Sequence, residues 1–157
     1  MRMTILTAVV SLVLGSVAWS SDDTVSLEEA ERLSQERHVF MKELGKSMRT
    51  IKGFLSGRND AEEALAATGV LKEAATAIPP LFPPGTGVDA LPRTGALDAI
   101  WENWSDFEMA AQLLGERAAM LETALTSGGD DAQAAAFMAL GRDGCGGCHS
   151  VFRAEDH

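Results

Sequence analysis

The feature that most constrains this chain is the pentapeptide Cys145-Gly146-Gly147-Cys148-His149, close to its C-terminus. Its two cysteines are the only ones in the sequence, and the C-x-x-C-H spacing is that of c-type haem attachment. Two thiols three positions apart can each add to one vinyl group of the same porphyrin, and the following imidazole can then bind the iron. The motif therefore predicts one haem c, covalently attached through Cys145 and Cys148, with His149 as an axial ligand.

Three other uses of the two cysteines remain open at this point. A thioredoxin-like redox pair shares the C-x-x-C spacing but belongs in a βαβ setting, and no strand pattern surrounds it here. A structural zinc site would need His38 or His157 beside His149 to complete four ligands. A disulfide between the two cysteines would close a very short loop.

The first twenty residues are typical of a secretory signal peptide. A basic start is followed by an apolar run from Ile5 to Ala18, and small residues then offer cleavage after Ala18 or after Ser20. The run is too short for a comfortable membrane span, so we expect no stable membrane insertion, although an uncleaved anchor is the alternative. This predicts residues 1–20 as a signal peptide, residues 21–157 as one haem domain, and a periplasmic location, where c-type haem is attached in bacteria.

The formal net charge of −10 becomes one unit more negative when Arg2 leaves with the leader. Such a charge disfavours binding to nucleic acid and to anionic membranes, and it would attract redox partner proteins with a basic docking face. Ordinary solubility is the simpler explanation of the same charge.

Periodicity predicts an all-α protein with four helices and no sheet, because no stretch alternates with a period of two. The predicted helices are 27–56, opened by a capping box at Ser26; 61–78; about 97–127; and a fourth capped by Asp130 and Asp131 that contains the C-x-x-C-H. Two short connections and one long one predict an antiparallel four-helix bundle with the haem near the C-terminus of the last helix.

The inward faces follow from steps of three and four. In the first helix that seam contains Arg37, Met41, Leu44, Met48, Ile51 and Leu55. In the fourth it contains Phe137, Leu140 and Val151. The loop before the third helix holds all five prolines, and it either packs over a haem edge or simply crosses between helices.

A haem motif in the last helix of a bundle resembles the class II c-type cytochromes, the family of cytochrome c prime and its low-spin relatives. The likeness covers nearly the whole mature chain. It rests on Cys145 to Arg153, Leu81 to Gly85, Thr94 to Trp101, and Arg37 to Gly45.

The resemblance implies roles for four further residues. Arg37 matches an arginine that would pair with a haem propionate, His38 stands where glutamine is common, and Met41 matches the position over the distal face. Thr94 matches a threonine near the propionates, although Gly95 and Asp98 depart from the usual pattern there. His38 is expected to be solvated rather than a ligand.

Met41 decides the function that the resemblance implies. If its thioether binds the iron opposite His149, the centre is six-coordinate and low-spin, which suits electron transfer. If it only crowds the distal site, the protein is a five-coordinate cytochrome that binds nitric oxide or carbon monoxide. No enzyme activity is expected, because the first helix offers no distal acid-base pair beyond His38. The sequence leaves monomer and homodimer equally open.

Overall fold

The computed structural model describes residues 25–155. The predicted signal peptide, residues 1–20, lies outside the described residues, and so do its cleavage sites after Ala18 or Ser20. His157 also lies outside them.

The first two helices form the start of the bundle. Helix α1 runs over Leu27–Leu55, and the hydroxyl of Ser26 caps it by accepting a hydrogen bond from a first-turn N–H at 3.2 Å. Gly57 turns the chain with a φ of 73°, a conformation that favours glycine. Helix α2 runs over Ala61–Ala77, with the Asp60 carboxylate accepting a first-turn hydrogen bond at 2.8 Å. Both predicted helices are confirmed to within one residue.

The predicted third helix is broken near its start. A 3₁₀ turn at Pro79–Leu81 and a long loop lead to a short helix α3, Ala99–Glu102, and then to helix α4, Trp104–Ser127. Asn103 separates α3 from α4 with a non-helical φ of −128° and ψ of 50°. Its side-chain amide donates to the carbonyl of Ala99 at 3.2 Å, and such local bonds compete with the helical backbone.

The last helical segment is also interrupted. Helix α5, Asp130–Ala139, continues into a π-helical segment, Leu140–Gly146, and ends in helix α6, Gly147–Phe152. The N-cap of α5 is Gly129, which makes no side-chain capping bond. The two aspartates predicted to cap α5 instead occupy its first turn, where their charge suits the helix dipole.

These segments pack as the predicted all-α, antiparallel four-helix bundle. Helix α4 lies at its centre, against α2 on one side and against the α5–π–α6 segment on the other. Gly115 permits the close α2–α4 approach, because a Cβ there would lie 2.7 Å from the Cβ of Ala75. Among residues 25–155 the only β pairing is one isolated bridge, Ala96–Arg153, and no helix in that range has the length and apolar character to cross a bilayer.

Candidate haem-binding site

The two cysteines lie half-buried on the last helical segment, and both are free thiols. Burial raises the pKa of the Cys145 thiol, and burial together with the neighbouring Cys145 raises the pKa of Cys148 to about 11. A thioredoxin-like pair needs a lowered thiol pKa, so the environment argues against that use. Within the described range no cluster of three or more His, Cys, Asp or Glu side chains could hold a metal ion, which gives the zinc alternative no support.

His149 follows directly on α6 and is half-buried. Burial, and secondarily the charge of Arg153, lowers the pKa of its imidazole. A guanidinium nitrogen of Arg153 lies 3.4 Å from Nδ1 of His149. Arg153 has no predicted role from the sequence, although its position four residues after His149 is the spacing at which helical side chains meet.

The π-helical segment sets the direction in which the haem motif faces. Leu140 and Phe152 are 0% and 5% exposed, whereas Val151 is 52% exposed. In an uninterrupted α-helix each residue turns about 100°, so Val151 would return to the face of Leu140 after eleven residues, as the sequence analysis expected. A π turn holds one extra residue, and it therefore brings Phe152 to that face instead. The prediction that Val151 faces inward is wrong for this reason.

Two glycines let the π-helical segment form and pack. A Cβ at Gly144 would lie 3.3 Å from the Cα of Leu114 on α4, a tight contact that glycine avoids. A Cβ at Gly146 would lie 3.3 Å from the carbonyl oxygen of Gly141, five residues earlier and inside the wide turn. Gly144 thus serves backbone packing against α4, and Gly146 serves the turn itself.

A charge cluster ties the same segment to α4. Asp143 pairs with Arg142 at 2.6 Å and with Arg117 of α4 at 3.3 Å. The hydrogen bond from Arg142 is the main reason that the pKa of the Asp143 carboxyl lies below its usual range. The pairing with Arg117 fixes the π turn against the centre of the bundle from just before the first haem cysteine.

The opposite wall of the site is α1. Arg37 is buried on its inner face, and Met41 and Met48 are half-buried against the core. His38 is exposed, which agrees with a solvated side chain rather than a ligand.

A gap between backbones separates this wall from the haem motif. Among the described residues, no Cα of α1 lies within 8 Å of a Cα in the π-helical segment or in α6. One side chain reaches across: Cε of Met48 lies 3.7 Å from the position that a Cβ on Gly141 would occupy. A flat group attached to the cysteines would lie between these two backbones.

Met41 lies level with the motif across this gap. It precedes Met48 by seven residues, which keeps both on one face of α1 and places them about 10 Å apart along the helix. Because the last segment runs antiparallel to α1, moving the same distance from Gly141 towards the C-terminus leads to Cys148 and His149. Met41 and His149 therefore occupy matching heights on opposite walls.

Arg37 organises the proline-rich loop. One Nη donates to the carbonyl of Leu81 at 3.2 Å and to Oγ1 of Thr86 at 2.8 Å; the other donates to the Thr86 carbonyl at 2.9 Å and to Oγ1 of Thr94 at 3.0 Å. Its Cζ also lies 4.7 Å from the ring centre of Phe82. The propionate roles of Arg37 and Thr94 stay predictions, since a propionate would have to use the Arg37 Nε–H or displace one of these bonds.

An aromatic cluster joins the loop to α6. Phe107 of α4 packs against Phe82 at 4.9 Å, against Phe152 at 5.4 Å and against Trp104 at 5.5 Å between ring centres. The loop thus packs on the core beside the haem motif, and it is more than a plain crossover. These rings give that end of the site the apolar surroundings that keep water from a buried iron centre.

The residues fit a covalently attached haem. Two thiols and an imidazole lie on the last helical segment, and a thioether lies level with them on the facing wall. The guanidinium of Arg37 is buried without a carboxylate partner among the described residues. Fold and site together define a c-type haem protein built on a four-helix bundle.

Comparisons with known proteins agree. The family model described as Cytochrome C' matches residues 32–153. Cytochrome c-556 of Agrobacterium tumefaciens (strain II Chrys) is 38% identical over 124 residues, which are 76% of this chain and 94% of that protein. The solved structure of a cytochrome c' from Rhodobacter sphaeroides superposes with a TM-score of 0.71 at 28% identity, over 80% of this chain and 98% of its own. Another cytochrome c', described as showing an unusual ligand-controlled dimer dissociation, gives a TM-score of 0.69 at 27% identity over 83% and 98%.

The chain belongs to the cytochrome c' family. Its cofactor is haem c, and the positions of Cys145 and Cys148 on the last helix fit the covalent attachment.

Proposed function

We propose that the protein is a periplasmic electron carrier whose iron is held between His149 and Met41. The observation that carries this proposal is the matching height of these two residues on opposite walls of the gap. A thioether opposite an imidazole gives the low-spin, high-potential centre that electron transfer favours.

Each residue then has a limited task. The two cysteines anchor the cofactor, and α6 orients the imidazole, while α1 presents the thioether. The loop and the aromatic cluster exclude water, so little solvent has to reorganise when the iron is oxidised or reduced. The bound haem supplies the reversible one-electron chemistry of its iron. We propose no substrate conversion, since His38, the one histidine of α1, is exposed.

The location and partners follow from the sequence. Residues 1–20 have the pattern of a secretory signal peptide. Because C-x-x-C-H motifs receive haem outside the cytoplasm, we place the mature protein in the periplasm. The net charge of −10 favours a redox partner with a basic docking face. The exposed acidic side chain of Asp106 lines a groove of about 420 Å³ that also contacts Cys148 and Val151, and this groove is a suitable docking point.

A second candidate function is the binding of nitric oxide or carbon monoxide at a five-coordinate iron. It is favoured by the likeness to solved cytochromes c', one of which is described as ligand-controlled in its dimer dissociation. In that case Met41 would pack above the iron without binding it, and the protein could form a homodimer that responds to the ligand.

The optical spectrum of the purified holoprotein separates the two functions. The electron carrier should show sharp low-spin α and β bands when reduced, and it should not react with carbon monoxide. Met41→Ala should become high-spin and carbon-monoxide-reactive, whereas His38→Ala, changing an exposed neighbour on α1, should keep the wild-type spectrum. A wild-type protein that is high-spin in both oxidation states would contradict iron binding by Met41 and would support gas binding instead.

A further inference from the structure

Arg37 is a buried cation whose protein partners are all neutral. It is 5% exposed, and within the described range it forms no ion pair with a carboxylate. Burial lowers the pKa of its guanidinium to about 10. Removing a charge from water is costly unless hydrogen bonds replace the lost hydration, and here both Nη groups are fully engaged by oxygens of the loop. The side chain is therefore committed to holding that loop.

The same loop is bonded to the end of the haem-carrying helix. Just after Thr94, Gly95 accepts a hydrogen bond from the N–H of Ala154 at 3.0 Å, and Leu97 donates its N–H to the carbonyl of Phe152 at 3.1 Å. Phe152 is the last residue of α6 and lies three residues after His149. Hydrogen bonds at Thr94 and at Gly95 and Leu97, joined by the loop backbone, thus connect Arg37 on α1 to the end of α6.

This set of hydrogen bonds matters because the backbones of α1 and α6 do not approach each other closely. No Cα of α1 comes within 8 Å of a Cα of α6 among the described residues, so the loop is the backbone that bridges them at this end. Arg37 also lies one helical turn before Met41 on the same face of α1. Arg37 and the proposed iron ligand Met41 therefore occupy adjacent turns of α1.

We infer that Arg37 is a positioning residue, which through Thr86 and Thr94 holds the loop between α1 and α6 and so sets the distance from Met41 to His149. This inference rests on the proposed function only for its readout at the iron. A role in pairing with a propionate is a different role, because it would depend on the charge of Arg37 and not on the loop hydroxyls.

We call the hydrogen bonds from Arg37 to Thr86 and Thr94 the clamp. The test compares variants of the holoprotein that break this clamp in two ways. Arg37→Lys keeps the charge but cannot make four bonds in a planar fork. Thr94→Val and Thr86→Val leave the arginine intact and remove one hydroxyl each. Arg32→Lys is the matched control, because Arg32 lies on the same helix but is exposed and paired with two glutamates.

Two measurements are made on each variant. The first is the rate of trypsin cleavage after Arg93, which is exposed and precedes the buried Thr94; it reports whether the loop is held. The second is the high-spin fraction in the optical spectrum, which reports the distance between the walls. We expect Arg37→Lys to raise the cleavage rate by about tenfold and each threonine variant by a few-fold, since each lost buried hydrogen bond costs about 1 kcal/mol.

The high-spin fraction should rise in the same order, and Arg32→Lys should change neither quantity. Unchanged cleavage after Arg93 in Arg37→Lys would overturn the clamp. Faster cleavage without a spectral change would overturn its influence on the iron, and a spectral change in the arginine variant without one in either threonine variant would overturn the role of the loop hydroxyls. If the wild type is already high-spin, the proposed function fails separately, and carbon monoxide association rates replace the spin fraction as the second readout.

Discussion

The two walls of the site are built differently. Helix α1 is unbroken over 29 residues and is capped by Ser26, and its inner face follows a regular seam. The opposite wall changes from α5 to a π turn and then to α6 within 23 residues, and it contains four glycines. Side chains therefore shape the site on α1, which we call the distal wall. Backbone geometry shapes it on the α5–π–α6 segment, which we call the proximal wall. Distal substitutions should therefore change iron chemistry, and proximal changes should alter attachment and stability.

The largest expected effect is on attachment. In the double variant Cys145→Ser with Cys148→Ser, no covalent haem should remain, because neither serine forms a thioether. Intact-protein mass spectrometry after expression in a host competent for c-type maturation measures this. Met41→Ala is the distal counterpart and should keep one covalent haem; loss of haem there would break the comparison.

The next effect tests the register of the π turn. One alanine inserted after Arg142 should rotate the following residues by about 100° and move Phe152 away from α4. We expect most of the covalent haem to be lost by mass spectrometry. Deletion of Arg142 is the control, since it removes the extra residue and returns the segment to an α-helix with Leu140 and Phe152 still on one face. Equal loss of haem in both variants would show that the π turn does not set the register.

A smaller effect concerns packing on α4. Gly144→Ala should lower the free energy of unfolding by about 1–2 kcal/mol, since the added methyl group meets the backbone of Leu114. Gly69→Ala on α2 meets nothing within 4 Å and should raise it by up to about 1 kcal/mol. Urea unfolding of the holoproteins provides the measurement, and shifts of the same sign in both variants would contradict the packing argument.

The smallest effect compares the two helix starts. Ser26→Ala removes the cap of α1 and should lower the free energy of unfolding by about 1 kcal/mol. Gly129→Ser offers α5 a side-chain cap that it lacks and should gain only a few tenths of a kcal/mol. Thermal unfolding followed by circular dichroism can resolve the pair. Changes in unfolding free energy of equal size and opposite sign would mean that the two helix starts contribute equally, which would contradict this prediction.

Sequence reasoning predicted the distal wall well. The seam from Arg37 to Leu55 and the cap at Ser26 depend on local periodicity and local hydrogen bonds, and both are visible in the chain itself. The haem motif is equally local, because its chemistry needs only the spacing from Cys145 to His149.

The proximal wall could not be predicted to the same degree. The π turn exists because Leu140 and Phe152 must both pack on α4, and that requirement belongs to the tertiary structure. The break at Asn103 likewise depends on a side-chain bond that competes with the helix. The partners of Arg37 come from a loop more than forty residues away, so the sequence showed an unusual charge on an apolar seam but not what it contacts.

The central claim is that Met41 on the regular wall binds the iron opposite His149 on the interrupted one. The most direct measurement is the weak far-red absorption of the ferric holoprotein, which reports a bond between methionine sulfur and ferric haem iron. The wild type and Met48→Ala should both show this band, and Met41→Ala should lack it. Absence of the band from the wild type, or its persistence in Met41→Ala, would contradict the claim.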